Sequence, residues 1–316
     1  MSVNAADRAS RVSVAVPTYR REGELLRCLE TVLALDPRPL EVLIVDQTEE
    51  HEPATNARLE ELDRAGRIRW IHHSPPSLPG ARNRALAEAR GELVLFLDDE
   101  VEVPVPLVVL HARHFEDPTI SVTGGRVVEP GFEPPPYPFF VKITRSGRKL
   151  VNFAYAKAGF VVGAPGGNHM VRRQVALDVG GYEERLSRAA RGEDMEFCQR
   201  VLARGGRIFF DPEAELVHRP APRGGTRTQG GFEDYFRDYY HDDAFFFLRH
   251  VGVVWLPLYF ARHVVSTLNA ALGRREREYP GVPRGLTTWP RLLLCFLRGF
   301  GRAVRSVRRP VASMTR

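Results

Sequence analysis

An unbroken apolar run that ends in three consecutive acidic residues is the feature that most constrains the fold of this chain. The run from Leu93 to Leu97 shows no polar alternation and is too short for a helix, which predicts an interior parallel strand. Asp98, Asp99 and Glu100 follow directly, at the carboxyl end of that strand, where open α/β sheets bind ligands. Carboxylates there suit Mg²⁺ or Mn²⁺, with a diphosphate completing the coordination shell. A solvated acidic turn is the alternative interpretation.

Strand-like and helical segments alternate along the first hundred residues. The segments of strand character are 11–16, 41–45, 67–72 and 92–97, and the helical segments between them are 22–35, 54–65 and 80–90. This alternation predicts an α/β fold with a Rossmann-like, mostly parallel sheet flanked by helices. Residues at three of the strand ends are therefore expected to share one edge of the sheet: Pro17, Thr18 and Tyr19 after the first strand, Asp46 after the second and Asp98 after the fourth.

Several classes of protein are disfavoured by what the sequence lacks. The turn at residues 17–23 has no G-x-G-x-x-G motif, and the chain has no G-x-x-x-x-G-K-[ST] motif, which disfavours those two modes of nucleotide binding. The three cysteines are widely spaced, so a disulfide framework is not expected and a reducing compartment fits. The first sixteen residues lack the apolar core of a signal peptide, which predicts a cytoplasmic catalytic part.

The second hundred residues continue the mixed pattern less regularly. The expected elements are a strand at 121–128, a proline-rich loop at 130–138, a glycine-rich turn at 163–173, a helix at 193–203, short strands at 207–210 and 215–218, and a linker or mobile loop at 220–231.

Five further residues are candidates for chemistry, each with a structural alternative. Glu193 and Asp194 precede a helix, where acids stabilise the helix dipole, but one of them could instead act as a general base. Asp46 could accept a hydrogen bond from a nucleobase or a ribose, or could form a turn. His218 could ligate a metal or contact a diphosphate, although a lone histidine is more often structural. Arg82 could reach a phosphate near a helix N-terminus, or could lie on the surface.

Taken in order, these segments closely resemble glycosyltransferase family 2, whose members have a nucleotide-sugar-binding GT-A fold. The resemblance spans roughly residues 11–219, and an ordered set of motifs is more specific than any single motif. The segments that carry it are VSVAVPTYRR, EVLIVDQT, LPGARNRALAEARGELVLFLDDE, GGNHMVRR with GGYEERL, and RGEDMEFCQRVLARGGRIFFDPEAELVHR.

The resemblance implies an enzyme and assigns roles to the candidate residues. It implies that Pro17, Thr18, Tyr19 and Asp46 hold the base and ribose of a nucleoside-diphosphate sugar. Asp98, Asp99 and Glu100 would form the DxD-type element for metal and diphosphate, and His218 would complete that site. Asp194 would be the catalytic base. The implied reaction is inverting: a hydroxyl of a glycan or lipid-linked acceptor attacks the anomeric carbon while a divalent cation stabilises the departing diphosphate.

The chain departs from the family pattern in three places. Gln47 stands where many relatives have a second acid, which leaves the base preference open. Glu100 takes the third DxD position, so which of the three acids touches the metal is open. The Q-x-x-R-W element of processive polysaccharide synthases is absent, which predicts the transfer of a single sugar.

The basic charge of the chain is concentrated near its C-terminus. Residues 245–316 contain thirteen Arg and two Glu, a net charge of +11, so residues 1–244 carry −5 of the total of +6. At about 100° per residue, a helix within 288–310 would be basic on one side and apolar on the other. Such a helix suits an anionic membrane surface, and packing on the catalytic domain is the alternative. The basic side has Arg291, Arg298, Arg302, Arg305 and Arg309, and the apolar side has Leu293, Phe296, Phe300 and Val304.

The expected organisation is a catalytic domain followed by a helical appendage. Residues 1–230 would be the GT-A domain, with the nucleotide-sugar part at 11–104 and the acceptor part at 120–219, and residues 231–316 would be the basic, aromatic C-terminal region. The apolar segment 251–261 is too short to span a bilayer, so we expect it to lie in the membrane interface or against the core. The protein would then be peripheral on the inner face of the plasma membrane.

Two other functions fit part of the pattern. A sugar nucleotidyltransferase also needs acids and a metal on an α/β sheet, and it would release pyrophosphate. A non-catalytic protein that keeps the fold and binds a membrane surface is the second alternative. Nucleic acid binding is disfavoured, because the arginines of the tail lie on one helix face with few aromatic residues interleaved for stacking.

Overall fold

A computed structural model describes residues 4–188, 190–221, 224–225, 231–274 and 282–309. The described strands are β1 (Val12–Thr18), β2 (Glu41–Asp46), β3 (Arg69–His72), β4 (Leu93–Leu97), β5 (Val101–Glu102), β6 (Ile120–Val128), β7 (Val141–Ile143), β8 (Lys149–Val151), β9 (Gly159–Val161), β10 (Asn168–Arg172) and β11 (Arg207–His218). The described α-helices are α1 (Ala5–Ala9), α2 (Gly23–Val32), α3 (Pro53–Arg64), α4 (Leu78–Glu88), α5 (Leu107–Ala112), α6 (Arg173–Asp178), α7 (Glu193–Ala203), α8 (Phe232–Phe246), α9 (Leu256–Ala271) and α10 (Thr288–Val307).

The first half of the molecule is the predicted parallel sheet. β1 pairs in parallel with β2 and β4, and β2 pairs in parallel with β3. Helices cover both faces of β1: Val14 packs in the core with Leu25 of α2, while Ala15 packs on the opposite side with Ala81 of α4. Burial on both faces explains why these strands read as continuous apolar runs. The predicted alternation is confirmed, and the element ends differ from the predicted ones by at most three residues.

The second half of the sheet is mixed, and two expectations for it were wrong. The sheet order is β3-β2-β1-β4-β10-β6-β11-β5, with β9 also paired to β11. The expected turn at 163–173 contains strand β10, which lies antiparallel between β4 and β6, so its conformation depends on two distant strands. The two strands expected at 207–210 and 215–218 are one strand, β11, with a register shift between Asp211 and Leu216. The separate pair β7–β8 forms a small antiparallel hairpin.

The C-terminal helices α8, α9 and α10 pack around an apolar core that is separate from the two cores on the faces of the sheet. Phe245, Phe247, Tyr259 and Phe296 are fully buried in it. The apolar side of α10 therefore packs on α8 and α9, while Arg291, Arg298 and Arg305 are exposed. The helix is packed, as in the second of the two expectations, but its main partners are the other C-terminal helices rather than the catalytic domain. Among the described helices, none combines the length and apolar character that crossing a membrane requires. The expected linker at 220–231 lies largely outside the described residues.

Candidate active site

A cavity of about 690 Å³ opens where β1 and β4 end. Most of the residues predicted to act in a common site line it, although they come from five separate segments of the chain. These are Pro17, Thr18, Tyr19, Arg82, Asp98, Asp99, Glu100, Glu193, Asp194 and His218. The described residues that line it also include an apolar group formed by Phe132, Pro134, Pro135, Val151 and Phe153.

Asp99 is the buried member of the acidic segment at the end of β4. The Thr18 hydroxyl donates a hydrogen bond of 2.7 Å to Asp99 Oδ2, and Arg21 Nε lies 4.0 Å from Oδ1. Burial and the neighbouring charges of Asp98 and Glu100 nevertheless raise the pKa of Asp99 to about 7. The side chain thus joins β4 to the end of β1 and is close to its titration midpoint near neutral pH.

Both carboxylate oxygens of Glu100 have partners within the protein. Arg21 Nη1 donates to Oε2 at 2.8 Å, and the backbone N–H of Ala221 donates to the same atom. His218 Nε2 lies 3.2 Å from Oε1, and His218 Nδ1 lies 3.5 Å from a carboxylate oxygen of Glu129. Burial opposes the charged imidazole, but its hydrogen bond to Glu100 and the charges of nearby acids raise the pKa of His218. Glu100 and His218, which were both predicted to be metal ligands, thus lie together and contact each other.

The donor set suits a divalent cation without enclosing one. Within the described part of the chain, no three carboxylate, imidazole or thiol groups are assembled as a ready metal cage. Asp98, Glu100 and His218 nevertheless supply two oxygens and one imidazole nitrogen around one cavity, and the side chain of Asp98 is 37% exposed. These residues fit a cation that is bound together with a diphosphate. Their role as metal ligands remains a prediction.

Arg82 connects the end of β4 to the start of α7. It is fully buried, and its Nη1 donates a hydrogen bond of 2.6 Å to Glu193 while its Nη2 donates to the carbonyl oxygen of Gly166 at 2.9 Å. Nη2 also lies 3.7 Å from Asp98 Oδ1. The predicted contact of Arg82 with a phosphate remains a prediction, whereas its contacts within the protein show that it fixes two acidic segments relative to each other.

Two glycines before β10 allow this close approach. A Cβ atom at Gly166 would meet the guanidinium of Arg82, and one at Gly167 would overlap the carboxylate of Asp98. Gly167 is therefore a steric requirement of the site, whereas a side chain at Gly166 would need only a small shift of Arg82. The sequence showed the glycines, but it did not show which side chains pass over them.

The two acids at the start of α7 have different environments. Glu193 is 2% exposed and forms the ion pair with Arg82, whereas Asp194 is only partly buried. Asp194 Oδ1 accepts a hydrogen bond of 2.7 Å from the backbone N–H of Met195, so its side chain satisfies one backbone N–H group in the first turn of α7. Gly192, at φ 77°, makes the sharp turn into the helix. Asp194 is therefore the more accessible of the two candidate bases.

Asp46 is the predicted residue whose contacts differ most from the expected ones. It is 1% exposed and accepts hydrogen bonds from the backbone N–H of Thr48 at 2.9 Å, His51 Nε2 at 2.8 Å and Trp70 Nε1 at 2.9 Å. Burial opposes the charged form of His51, but its hydrogen bonds to Asp46 and Glu22 raise its pKa to about 9. Asp46 is not one of the described residues that line the cavity. Its direct contact with a nucleobase remains a prediction.

Arg21 was not predicted to belong to the site, and Gln47 was noted only as a departure from the family pattern, but both line the cavity. Gln47 Oε1 accepts from the backbone N–H of Ser77 at 2.6 Å, and its Nε2 donates to the carbonyl oxygen of Thr18 at 3.2 Å. The substitution of an acid by Gln47 was noted in the sequence and marked this position. Nothing in the sequence indicated that Arg21 contacts Asp99 and Glu100, since about eighty residues separate the partners.

A residue of the C-terminal helices also shapes the site. Asp242 of α8 is fully buried and accepts hydrogen bonds from the backbone N–H and the hydroxyl of Ser187, each 2.7 Å long, and from the backbone N–H of Arg191 at 2.9 Å. Ser187 and Arg191 lie in the loop that leads into α7. Helix α8 therefore positions the start of the helix that carries Asp194.

The family model described as Glycosyl transferase family 2 matches residues 13–180, which is more than half of the chain. The pre-mycofactocin glycosyltransferase of Mycobacterium tuberculosis is 27% identical over 215 residues, which cover 66% of this chain and 42% of that protein. The succinoglycan biosynthesis protein ExoM of Rhizobium meliloti is 28% identical over 215 residues, which cover 67% of each chain. This chain thus matches less than half the length of the first relative.

Two solved structures share the fold at low sequence identity. Residues 1–349 of S. aureus TarS, in complex with UDP-GlcNAc, superpose with a TM-score of 0.60 at 16% identity, covering 94% of this chain and 81% of that one. The mannosyltransferase PcManGT from Pyrobaculum calidifontis, in complex with GDP-Man and Mn²⁺, superposes with a TM-score of 0.55 at 17% identity, covering 94% and 86%. The predicted GT-A type fold is confirmed.

Proposed function

This chain belongs to glycosyl transferase family 2, and on that premise we propose that it transfers a single sugar from a nucleoside-diphosphate sugar to a hydroxyl of a glycan or lipid-linked acceptor. The transfer inverts the anomeric configuration and is assisted by a divalent cation. The observation that carries the proposal is the convergence of the acids after β4 with Asp194 in one cavity. A donor held by the first group then lies within the same enclosure as a general base.

The donor diphosphate lies at the end of β4 in this proposal. Asp98, Glu100 and His218 are the residues that would hold the cation, which neutralises charge on the departing diphosphate when it is bound. Pro17, Thr18 and Tyr19 lie beside these acids on the cavity wall and are the proposed contacts of the base and ribose. The relatives of known structure contain UDP-GlcNAc in one case and GDP-Man with Mn²⁺ in the other, which supports the donor class without choosing the nucleotide.

Asp194 accepts the proton of the acceptor hydroxyl in this proposal. The rigid start of α7 fixes its carboxylate at the cavity wall, and its exposure leaves room for an acceptor. The hydroxyl oxygen forms its bond to the anomeric carbon as the bond to the diphosphate oxygen breaks, so no covalent enzyme intermediate forms. Glu193 does not accept this proton, because it is buried in its ion pair with Arg82. Its role is to hold Arg82, and through it the end of β4, in position.

Calorimetric titration with UDP, GDP and dTDP, each with and without Mn²⁺, tests the proposal. We expect one nucleotide to bind in a Mn²⁺-dependent manner and Asp98→Ala to abolish that binding. Glu102→Gln is the matched control, because Glu102 lies on β5 just beyond the acidic segment, is paired with Arg219 and does not line the described cavity. Absence of binding to all three nucleotides, or equal loss in both variants, would contradict the proposal. Release of pyrophosphate in a turnover assay would instead indicate a nucleotidyltransferase.

A further inference from the structure

The solvent-facing side of α9 is apolar over its whole length. Val254, just before the helix, and Leu258, Ala261, Val265 and Leu272 recur at intervals of three, four or seven residues and so share one side, which we call the α9 stripe. Within it Val254 is 75% exposed, Val265 56%, Leu258 47% and Leu272 42%. No charged residue among those described interrupts the stripe. The charged neighbours turn inward: Arg262 pairs with the buried Asp243, and His263 is buried.

Helix α10 extends this apolar surface. Its Phe296 and Phe300 face α9, where both contact Phe260, with ring centroids 5.3 and 4.9 Å apart. At about 100° per residue, Leu297 lies beside that contact on the outer side of α10, and Leu294 follows further round. Both leucines are exposed, at 49% and 46%. The α9 stripe and these two leucines form one apolar band on the outside of the C-terminal helices.

A row of arginines borders the band. Continuing round α10, Arg305, Arg298 and Arg291 follow Leu294 within an arc of about 60°, and all three are exposed. Arg291 contacts an exposed glutamate, Glu233, at 3.2 Å, a pairing that contributes little in water. The surface thus presents apolar side chains along one helix and cationic side chains along the far edge of the next.

We propose that this two-helix surface docks on an anionic lipid bilayer, with the α9 stripe in the acyl boundary and the arginine row against lipid phosphates. The charge pattern selects this occupant, since apolar side chains beside a row of arginines match the layered chemistry of an anionic membrane interface. A purely apolar partner surface would leave the arginines without anions. The inference does not depend on the proposed sugar transfer, and it replaces the expectation that the apolar side of α10 itself enters the membrane.

Flotation of the full chain with vesicles of phosphatidylcholine, with or without phosphatidylglycerol, tests the proposal. We expect binding to the vesicles that contain phosphatidylglycerol. The double variant Leu258→Glu/Val265→Glu should reduce the partition coefficient by more than about tenfold, because two side chains lose their burial in the acyl boundary. Arg298→Glu/Arg305→Glu should reduce binding to the anionic vesicles alone, and added salt should have a similar effect.

Leu40→Glu is the matched control, because Leu40 is 47% exposed, like Leu258, but precedes β2 far along the chain from the C-terminal helices. It should bind vesicles as the unmodified chain does. Far-UV circular dichroism and thermal melting establish that each variant is folded. Binding of the unmodified chain to neither vesicle would overturn the proposal, as would equal binding by the stripe variant and the Leu40 control. A concentration-dependent dimer that only the stripe variant disrupts would overturn it in favour of a self-association surface.

Discussion

The acidic residues at the end of β4 and those at the start of α7 lie in different electrostatic environments. At the end of β4, burial and adjacent carboxylates outweigh the effects of Arg21 and Thr18 on Asp99, so its pKa rises to about 7. At the start of α7, Glu193 lies 2.6 Å from the buried Arg82 in a direct ion pair. In the first segment, burial is the main reason that the charged form of Asp99 is disfavoured, and the carboxylates of Asp98 and Glu100 add to that effect. The second neutralises its buried acid and leaves the other, Asp194, at the cavity wall.

This difference separates acids of the same residue type into different roles. A segment that sets two further carboxylates beside a buried carboxyl is suited to a cation that arrives with the substrate. A segment whose buried acid is paired is suited to fixing a neighbouring side chain in place. We therefore expect Asp194 to govern activity, Glu193 to govern stability and Asp99 to govern the pH dependence of stability.

The largest expected effect is on activity. Asp194→Asn should lower kcat by about 10²- to 10⁴-fold, because the acceptor hydroxyl loses its general base. The affinity for the nucleoside diphosphate should be unchanged, since the donor lies at the other acidic segment. Sugar-transfer assays and calorimetry measure the two quantities. Asp178→Asn, which removes an exposed acid on α6, is the control, and an equal loss of activity in that variant would remove the role assigned to Asp194.

The next effect is on stability. Glu193→Gln should lower the free energy of unfolding by about 3 kcal/mol, because it removes the direct partner of the fully buried Arg82 guanidinium. Asp194→Asn should change it by less than about 1 kcal/mol, since that side chain is only partly buried. Urea unfolding of the two variants measures the difference. If both variants lost the same free energy of unfolding, the different roles assigned to Glu193 and Asp194 would be wrong.

The smallest effect is on the pH dependence of stability. Because the folded state holds the proton of Asp99 up to a pKa of about 7, the stability that Asp99 contributes is fully present at acid pH and is lost as the pH rises through 7. Asp99→Asn removes this loss, so the free energy of unfolding of the variant relative to the unmodified chain should increase by about 1.4 kcal/mol per pH unit between pH 5 and 6, and by about half that rate near pH 7.

The quantity to measure is the difference in the free energy of unfolding between the Asp99→Asn variant and the unmodified chain. Burial lowers the pKa of His111 to about 4 and that of His169 to about 3, so these histidines reduce stability as the pH falls below their unfolded value and oppose the contribution of Asp99. They are present in both proteins and cancel in the comparison. If the free energies of unfolding of the two proteins, plotted against pH, stay parallel from pH 5 to 7, Asp99 does not titrate in this range.

The features that could be predicted from the sequence are those that a local pattern of residues determines. The continuous apolar strands and the acids that follow β4 could be placed because burial on both faces leaves a signature within a few residues. The contacts of Asp46 could not be placed, because one of its donors, Trp70, lies on β3. Strand β10 was missed because two distant strands enforce its conformation on a glycine-rich segment. The packing of α10 was left open because an amphipathic pattern does not say which apolar surface covers it.

Helix α8 makes the C-terminal region more than an attachment. Asp242 holds the loop that leads into α7, and Glu196 of α7 lies 3.2 Å from both Arg249 and His250, just beyond α8. The C-terminal helices and the catalytic region around α7 are therefore structurally coupled, and we do not expect one to be exchanged without affecting the other. A truncation at the end of the sheet would release the segment that carries Asp194, and fusing this catalytic half to a different tail would require that tail to reproduce the same supports.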